Sequence, residues 1–204
     1  MRAGSLGLRV GRTRGRVRAV PAALTTWSTT DKAASVSLSN GNLTATKAGA
    51  HGVMAAVRSS TGKTTGKWVY KVTVNAWNSQ FDGGFGFANA AYVLTDYLGA
   101  SVNDVAFFLD DNIWYNGGDR GDWISLPGAD LTPPLSFFLA IDVDATDARV
   151  SFNGTDWSAA IDVFDILVAN NTVYAAVQLF TVGDSVTADF APTGWTLSGY
   201  SNWG

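Results

Sequence analysis

Seventeen carboxylates, all of them aspartate, and a single histidine, His51, are the side chains that could do acid, base or metal chemistry in this 204-residue chain. Asp110-Asp111, Asp119 with Asp122, and Asp142-x-Asp144-x-x-Asp147 supply hard oxygen donors at short spacing, the chemistry of a calcium loop. An EF-hand loop also needs glycine at its sixth position and a bidentate carboxylate at its twelfth. Counted from Asp142, those positions hold Asp147 and Asn153. Aspartates placed this way close hairpin turns more simply, and no metal is expected. His51 sits among small residues beside Gly52, and no nucleophile-elbow pattern occurs anywhere, so it reads as a loop residue. Gly62-Lys63-Thr64 resembles the end of a phosphate loop, but Val57 stands where that loop requires glycine. Without cysteine there is no disulfide, thiol nucleophile or Cys-ligated zinc, and without glutamate a glycosidase would need two aspartates. Neither an enzyme nor a cofactor is expected. Arg120-Gly121-Asp122 spells an adhesion tripeptide, which a surface loop of common residues explains.

Aromatic residues carry more information. There are 25, eight of them tryptophan. Trp77 and Phe81 in 76–83, and Trp114, Tyr115 and Trp123 around 116–122, stand largely outside strand alternation and read as loop residues. With Asp119 and Arg120 they form the candidate partner-binding set, because exposed rings stack on sugar faces or anchor proteins while polar neighbours fix orientation. The competing reading is that these rings plug the ends of the fold.

Charge divides the chain. Residues 1–18 hold six arginines and no acid, so the remainder, with 8 basic against 17 acidic groups, stands at −9 although the whole chain is only −3. Arg12, Arg14, Arg16 and Arg18 recur at every second position, which places all four on one face of an extended strand. Together with Arg9 they mark residues 1–23 as a candidate assembly arm; the competing reading is a solvated tail. Gly4, Gly7, Gly11 and Gly15 oppose a helix, and Pro21 closes the segment. The arginines are not followed by the apolar core of a secretory signal, and no stretch approaches the roughly 18 apolar residues of a membrane span.

The elements that must position these residues read as strands. Abundant Thr, Val, Gly and aromatics favour strands and turns over helices. Asn40-Gly41, Gly83-Gly84, Asn116-Gly117-Gly118, Pro127-Gly128, Asn153-Gly154 and Thr193-Gly194 mark reversals, since Asn and Gly accept the positive φ of tight turns. Between them, strands are expected at 35–38, 43–46, 54–58, 67–74, 84–88, 105–109, 137–142, 149–153, 174–179 and 186–190. In the clearest, Trp68, Tyr70, Val72 and Val74 share one face. Residues 24–204 are therefore expected to form a two-sheet sandwich. Its core would comprise Trp68, Tyr70, Phe85, Phe87, Leu139, Ile141, Val150, Phe152, Val177, Leu179 and Phe190, each contributing about 1.5–3 kcal/mol when buried.

The order of these segments resembles the SPRY domains, in particular those of bacteriophage and prophage structural proteins. Thr26-Trp27-Ser28-Thr29-Thr30-Asp31-Lys32 and Leu38-Ser39-Asn40-Gly41-Asn42-Leu43 match the opening. Val57-Arg58-Ser59 and Gly66-Lys67-Trp68-Val69-Tyr70-Lys71-Val72 match the arginine and aromatic strand, and Gly84-Phe85-Gly86-Phe87 the next core strand. Phe138-Leu139-Ala140-Ile141-Asp142 with Val150-Ser151-Phe152-Asn153-Gly154 is similar to the signature hairpin. Tyr174–Leu179 and Val186–Phe190 complete a resemblance spanning about residues 24 to 195. Lys71 stands where many members have glutamate, and Asp189 where asparagine is usual.

The resemblance implies an all-β, antiparallel, concanavalin-like sandwich that binds partners through loops at one end and is not an enzyme. The expected role is a virion structural protein, a decoration, fibre or tail component. In this role the arm docks on other virion proteins, the sandwich meets a host-surface protein or glycan, and identical copies assemble within the particle. Nucleic acid is not an expected partner. The alternatives are a soluble carbohydrate-binding module and a peptide-binding adaptor.

Overall fold

Alternation along 67–76 sets the layers. Tyr70, Val72 and Val74 are fully buried while Lys67 and Asn75, on the opposite face, are exposed. The computed structural model describes Met1 and residues 24–78, 83–110, 112–122, 132–163 and 172–204. Arg9, Arg12, Arg14, Arg16 and Arg18 of the expected arm, and Phe81 and Trp123, lie outside the described residues.

Among the described residues there is no helix, and the strands run β1 (Trp27–Lys32), β2 (Val36–Ser39), β3 (Thr44–Lys47), β4 (Ala55–Ser59), β5 (Lys67–Ala76), β6 (Gly84–Asn89), β7 (Asp104–Phe108), β8 (Asn112–Tyr115), β9 (Gly118–Asp122), β10 (Leu135–Asp142), β11 (Asp147–Ser151), β12 (Ile161–Asp162), β13 (Val173–Leu179), β14 (Ser185–Asp189) and β15 (Ser201–Asn202). They build two antiparallel sheets. One has the order β1-β4-β13-β6-β7-β8-β9; the other has the order β12-β11-β10-β5-β14-β3-β2, with β15 alongside β5 in parallel.

The ten expected strands are all present, displaced by no more than two residues at any end. Asn40-Gly41 and Asn116-Gly117 do supply the positive φ of tight turns, at 52° and 63° and at 53° and 67°. Strands β1, β8, β9, β12 and β15 were not expected.

Two expected core residues are corrected. Phe152 is 41% exposed, because β11 ends at Ser151 and the chain turns before the alternation can carry the ring inward; it touches the core only edge-on, at 5.5 Å from Phe137. Trp68 lies at the margin of the core, half-buried, with its indole nitrogen on the Thr65 carbonyl (2.6 Å) and the Lys63 ammonium 3.7 Å above its ring.

Between the sheets, Tyr70 is the centre of the packing. Its ring meets Phe87, Phe190 and Trp203 at centroid distances of 5.6, 5.9 and 5.7 Å. Its hydroxyl crosses the core to donate to the Gly86 carbonyl in the facing sheet (2.6 Å). Burial raises the phenol far above its usual range, so it stays a donor at every pH the fold meets. The Tyr70→Phe variant keeps the ring and loses this bond together with the longer one to the Ala176 carbonyl (3.5 Å) in the same facing sheet. We expect a loss of about 1 kcal/mol, read as a melting temperature lowered by about 3 °C; an unchanged melting temperature would show that the cross-sheet bond contributes nothing.

Candidate functional site

The β8–β9 edge of the first sheet, last in its order among the described residues, holds most of the described members of the predicted binding set. Here the loop reading of Trp114 and Tyr115 is corrected: both belong to β8. The sequence signal was weak because β8 spans only four residues between two turns. Alternation then separates the two rings. Ile113 and Tyr115 point into the core, and Trp114 stays half-buried on the outer face. Asn116-Gly117 makes the two-residue turn into β9, pairing Tyr115 with Gly118 and Trp114 with Asp119. Before the next pair, Asn112 with Asp122, one extra residue is accommodated near Gly121, whose φ is 89°. Asp119 is exposed and accepts from the Gly121 amide (2.7 Å). Arg120 lies over the Tyr115 ring (5.4 Å) and donates to the Tyr115 carbonyl (3.2 Å).

Residues 89–103 complete the site, and the sequence reading missed them. They cover the outer face of the first sheet, burying Tyr92 and Leu98 against Ala56, Ala88, Ala106, Phe108 and Ala176. Strand β7 gave the clue, since it is apolar on both faces and so requires a cover on each. Tyr97 stacks on Phe108 at 5.7 Å and leans on Trp114 at 6.2 Å, making a half-buried aromatic shelf. Gly99 lies directly on β8: a Cβ built there would sit 2.6 Å from the Trp114 Cβ, and its φ of 94° favours glycine. Two backbone bonds fasten this turn to the hairpin tip, Gly117 to the Gly99 carbonyl (3.0 Å) and Asn116 to the Ser101 carbonyl (3.2 Å). Asp104, buried beneath, accepts from the Gly99 amide and the Ser101 hydroxyl.

Trp77 is not brought to this shelf. It packs on the main core, its ring lying where a Cβ on Gly83 would be (1.9 Å), and its buried indole nitrogen has no partner among the described residues. That is the plug reading rather than the binding one. Three other aspartates of the sequence clusters are engaged by loop groups or a lysine. Asp142 pairs with Lys67 (2.5 Å) and accepts the Ala145 amide (3.1 Å), Asp144 accepts the Gly66 amide (3.0 Å), and Asp110 accepts the Asn112 amide group (2.7 Å). His51 is an exposed loop residue with its ring edge-on to Phe180 at 5.5 Å. A pocket of about 420 Å³ opens elsewhere, between Leu24–Thr26, Gly41, Leu43 and Phe190; Asp189 is the one titratable side chain lining it.

No family model matches the sequence, and no curated protein matches it. Solved structures do. The SPRY domain of human HERC1 superposes with a TM-score of 0.63 at 16% identity, over 79% of this chain and 96% of that one. A second human SPRY domain gives 0.60 at 15% identity, over 78% and 97%. Stonustoxin gives 0.59 at 13% identity, over 81% of this chain and 27% of its own. The fold is the SPRY fold. The shelf is formed by the elements at one margin of this fold.

Asp104 links the shelf to pH. Burial pushes its carboxyl up to about 6, against the hydrogen bonds from Ser101 and Gly99 that favour the charged form. A carboxyl whose folded value exceeds its unfolded one binds protons preferentially in the native state. Its contribution is therefore full below about pH 4 and is lost as pH rises to about 6. Asp104→Asn should remove this slope: stability of the variant relative to the parent should rise by up to about 3 kcal/mol between pH 4 and 7. Parallel denaturant titrations of both proteins measure it, and identical pH profiles would refute it.

Proposed function

We propose that this chain is a non-enzymatic structural protein of a phage-like particle, which holds a protein or host-surface group on the Tyr97–Trp114 shelf of its SPRY-fold sandwich and docks through its basic arm. The observation that carries the binding half is the shelf itself. Two partly exposed rings are held by Phe108, Gly99 and Asp104, with the charges of Asp96, next to Tyr97 in the chain, and Asp119, opposite Trp114 in register, beside them. Preorganised aromatics beside charged groups are the usual anchors of a protein interface. What supports the particle half is the division of charge, six arginines without an acid ahead of a body at −9, together with the sequence resemblance to phage-type SPRY domains. Such an arm gains by ordering on an acidic neighbour or a sheet edge of another subunit. The virion is accordingly the proposed location, with several identical copies in it.

A second reading, a peptide-binding adaptor, is favoured by the likeness to cellular SPRY domains and uses the same shelf. Two experiments separate the readings. In the first, the full chain and an Arg12→Ser/Arg14→Ser/Arg16→Ser/Arg18→Ser variant are compared for co-sedimentation with particles from an induced lysate of the source cells. Loss of sedimentation at unchanged melting temperature supports the particle reading; equal sedimentation of both removes the arm's role. In the second, peptides are selected on the full chain from a random display library. Trp114→Ala should weaken the selected peptides about thirtyfold, the effect of losing an anchor of about 2 kcal/mol. Peptide binding without any particle association would leave the adaptor.

A further inference from the structure

The outer face of the second sheet is treated in two ways. Where it is apolar, the chain covers it: Val69, Phe138 and Ala140 lie beneath Trp157, Trp195, Leu197 and Tyr200. Further along the same strands the outward positions change to hydroxyls. Strand register aligns them, Ser39 opposite Thr44, Thr44 opposite Thr187, Thr187 opposite Thr73, and Thr73 opposite Ser136. This row crosses β2, β3, β14, β5 and β10, about 19 Å at ordinary strand spacing. A second row lies beside it, with Ser37 opposite Thr46 and Thr46 opposite Ser185, and Asn75 at its end. Ser37, Ser39 and Asn75 are exposed, and the other members are half-buried.

The array is rigid. The Thr44 and Thr187 hydroxyls are 2.8 Å apart, those of Thr73 and Ser136 2.9 Å, and those of Thr46 and Ser185 3.2 Å, while the Asn75 amide donates to the Thr187 hydroxyl at 2.8 Å. Every hydroxyl is both donor and acceptor, and even Thr187 and Ser185, which each meet two neighbours, keep capacity for a further bond. Neither row contains a charge, although the chain beyond residue 18 carries 25 charged side chains. The adjoining Lys71 and Asp189 stand opposite each other in register.

These facts restrict the partner by its chemistry. A nucleic acid would find no cation to replace its counterions, and a lipid surface no apolar face. A protein interface core is enriched in aromatics, methionine and arginine and depleted in serine, the reverse of this surface. What matches is an uncharged chain that itself repeats paired donors and acceptors and lies flat across several strands. We infer that this face is a docking surface for an extended, uncharged polysaccharide. The preset side chains lower the ordering cost of binding, and the site is independent of the shelf on the other sheet.

Affinity electrophoresis of the full chain tests this, using gels that contain mixed-linkage β-glucan, galactomannan or dextran, with polygalacturonate as the anionic comparison. The expected result is retardation in at least one neutral gel and none in the anionic one. Thr44→Val with Thr187→Val, which keeps the β-branched shape, should weaken retardation about tenfold, and Val53→Ser, at an exposed loop position outside the array, should leave it unchanged. If the double variant melts early, Ser37→Lys at the exposed edge of the array provides the same comparison. Four outcomes overturn the inference. They are no retardation in any neutral gel, retardation in the anionic gel alone, retardation that survives the array substitutions, and a concentration-dependent dimer in light scattering that the array substitutions abolish, which would make the occupant a second copy of the chain.

Discussion

A buried phenol sets the spacing of the two sheets. Tyr70 reaches across the core to the Gly86 carbonyl. Glycine at 86 serves its own sheet, where a Cβ would lie 2.1 Å from the Val105 oxygen of the neighbouring strand. Around the phenol, rings from distant parts of the sequence converge. Trp27 packs edge-on to Phe190, and Phe190 and Trp203 pack on Tyr70, so both ends of the described sandwich close on one residue. Trp203 is fixed by its own amide to the Val69 carbonyl (2.8 Å) and by its indole to the Thr61 carbonyl (3.0 Å). Since the chain must travel from Phe190 to Trp203 to complete this centre, residues 191–202 necessarily pass along the second sheet. Their Trp195, Leu197 and Tyr200 are what cover its apolar outer patch.

The shelf on the other sheet has a comparable origin. With Val105 and Phe107 facing the core and Ala106 and Phe108 facing outward beside the buried Asp104, β7 is buried on both faces, and residues 89–103 lie over the outer one. A cover of this kind has an edge, and Tyr97 and Trp114 stand at that edge, half in the packing and half in water. The proposed binding surface is thus the margin of a structural requirement rather than an addition to it. Its rigidity comes from the same groups that fasten the cover: Gly99 against β8, the hairpin-tip bonds, and Asp104 below.

This also accounts for what could be read from the sequence. Long alternation with aromatic residues on one face, as in β5, and Asn-Gly turns are local signals, and both layers and most strands followed from them. Strands β8 and β9 are short, separated by a turn and interrupted by a bulge, so their alternation was too brief to register and Trp114 and Tyr115 read as loop residues. Phe152 failed for the opposite reason, because alternation was extended one residue beyond a strand whose end is set by the turn that follows. Of the candidate site, Trp114, Asp119 and Arg120 were legible as residue types, while Tyr97 and Asp104 were not. Their role depends on which outer face needs covering, and that is a property of the assembled sheet.

Low identity within a shared fold indicates where specificity must reside. A sandwich core asks for apolar residues of suitable volume in alternating register, which many sequences satisfy. The likeness to human SPRY domains therefore speaks for the arrangement around Tyr70 and leaves the outward residues undetermined. On one sheet those residues are two rings among charges; on the other they are hydroxyls in register without a charge between them. Threonine suits a half-buried strand position, and the array adds to that a complete absence of charge in a body that stands at −9. Surfaces so different in chemistry, on opposite sides of one rigid core, suit partners of different chemistry, and a single chain can hold both without either constraining the other.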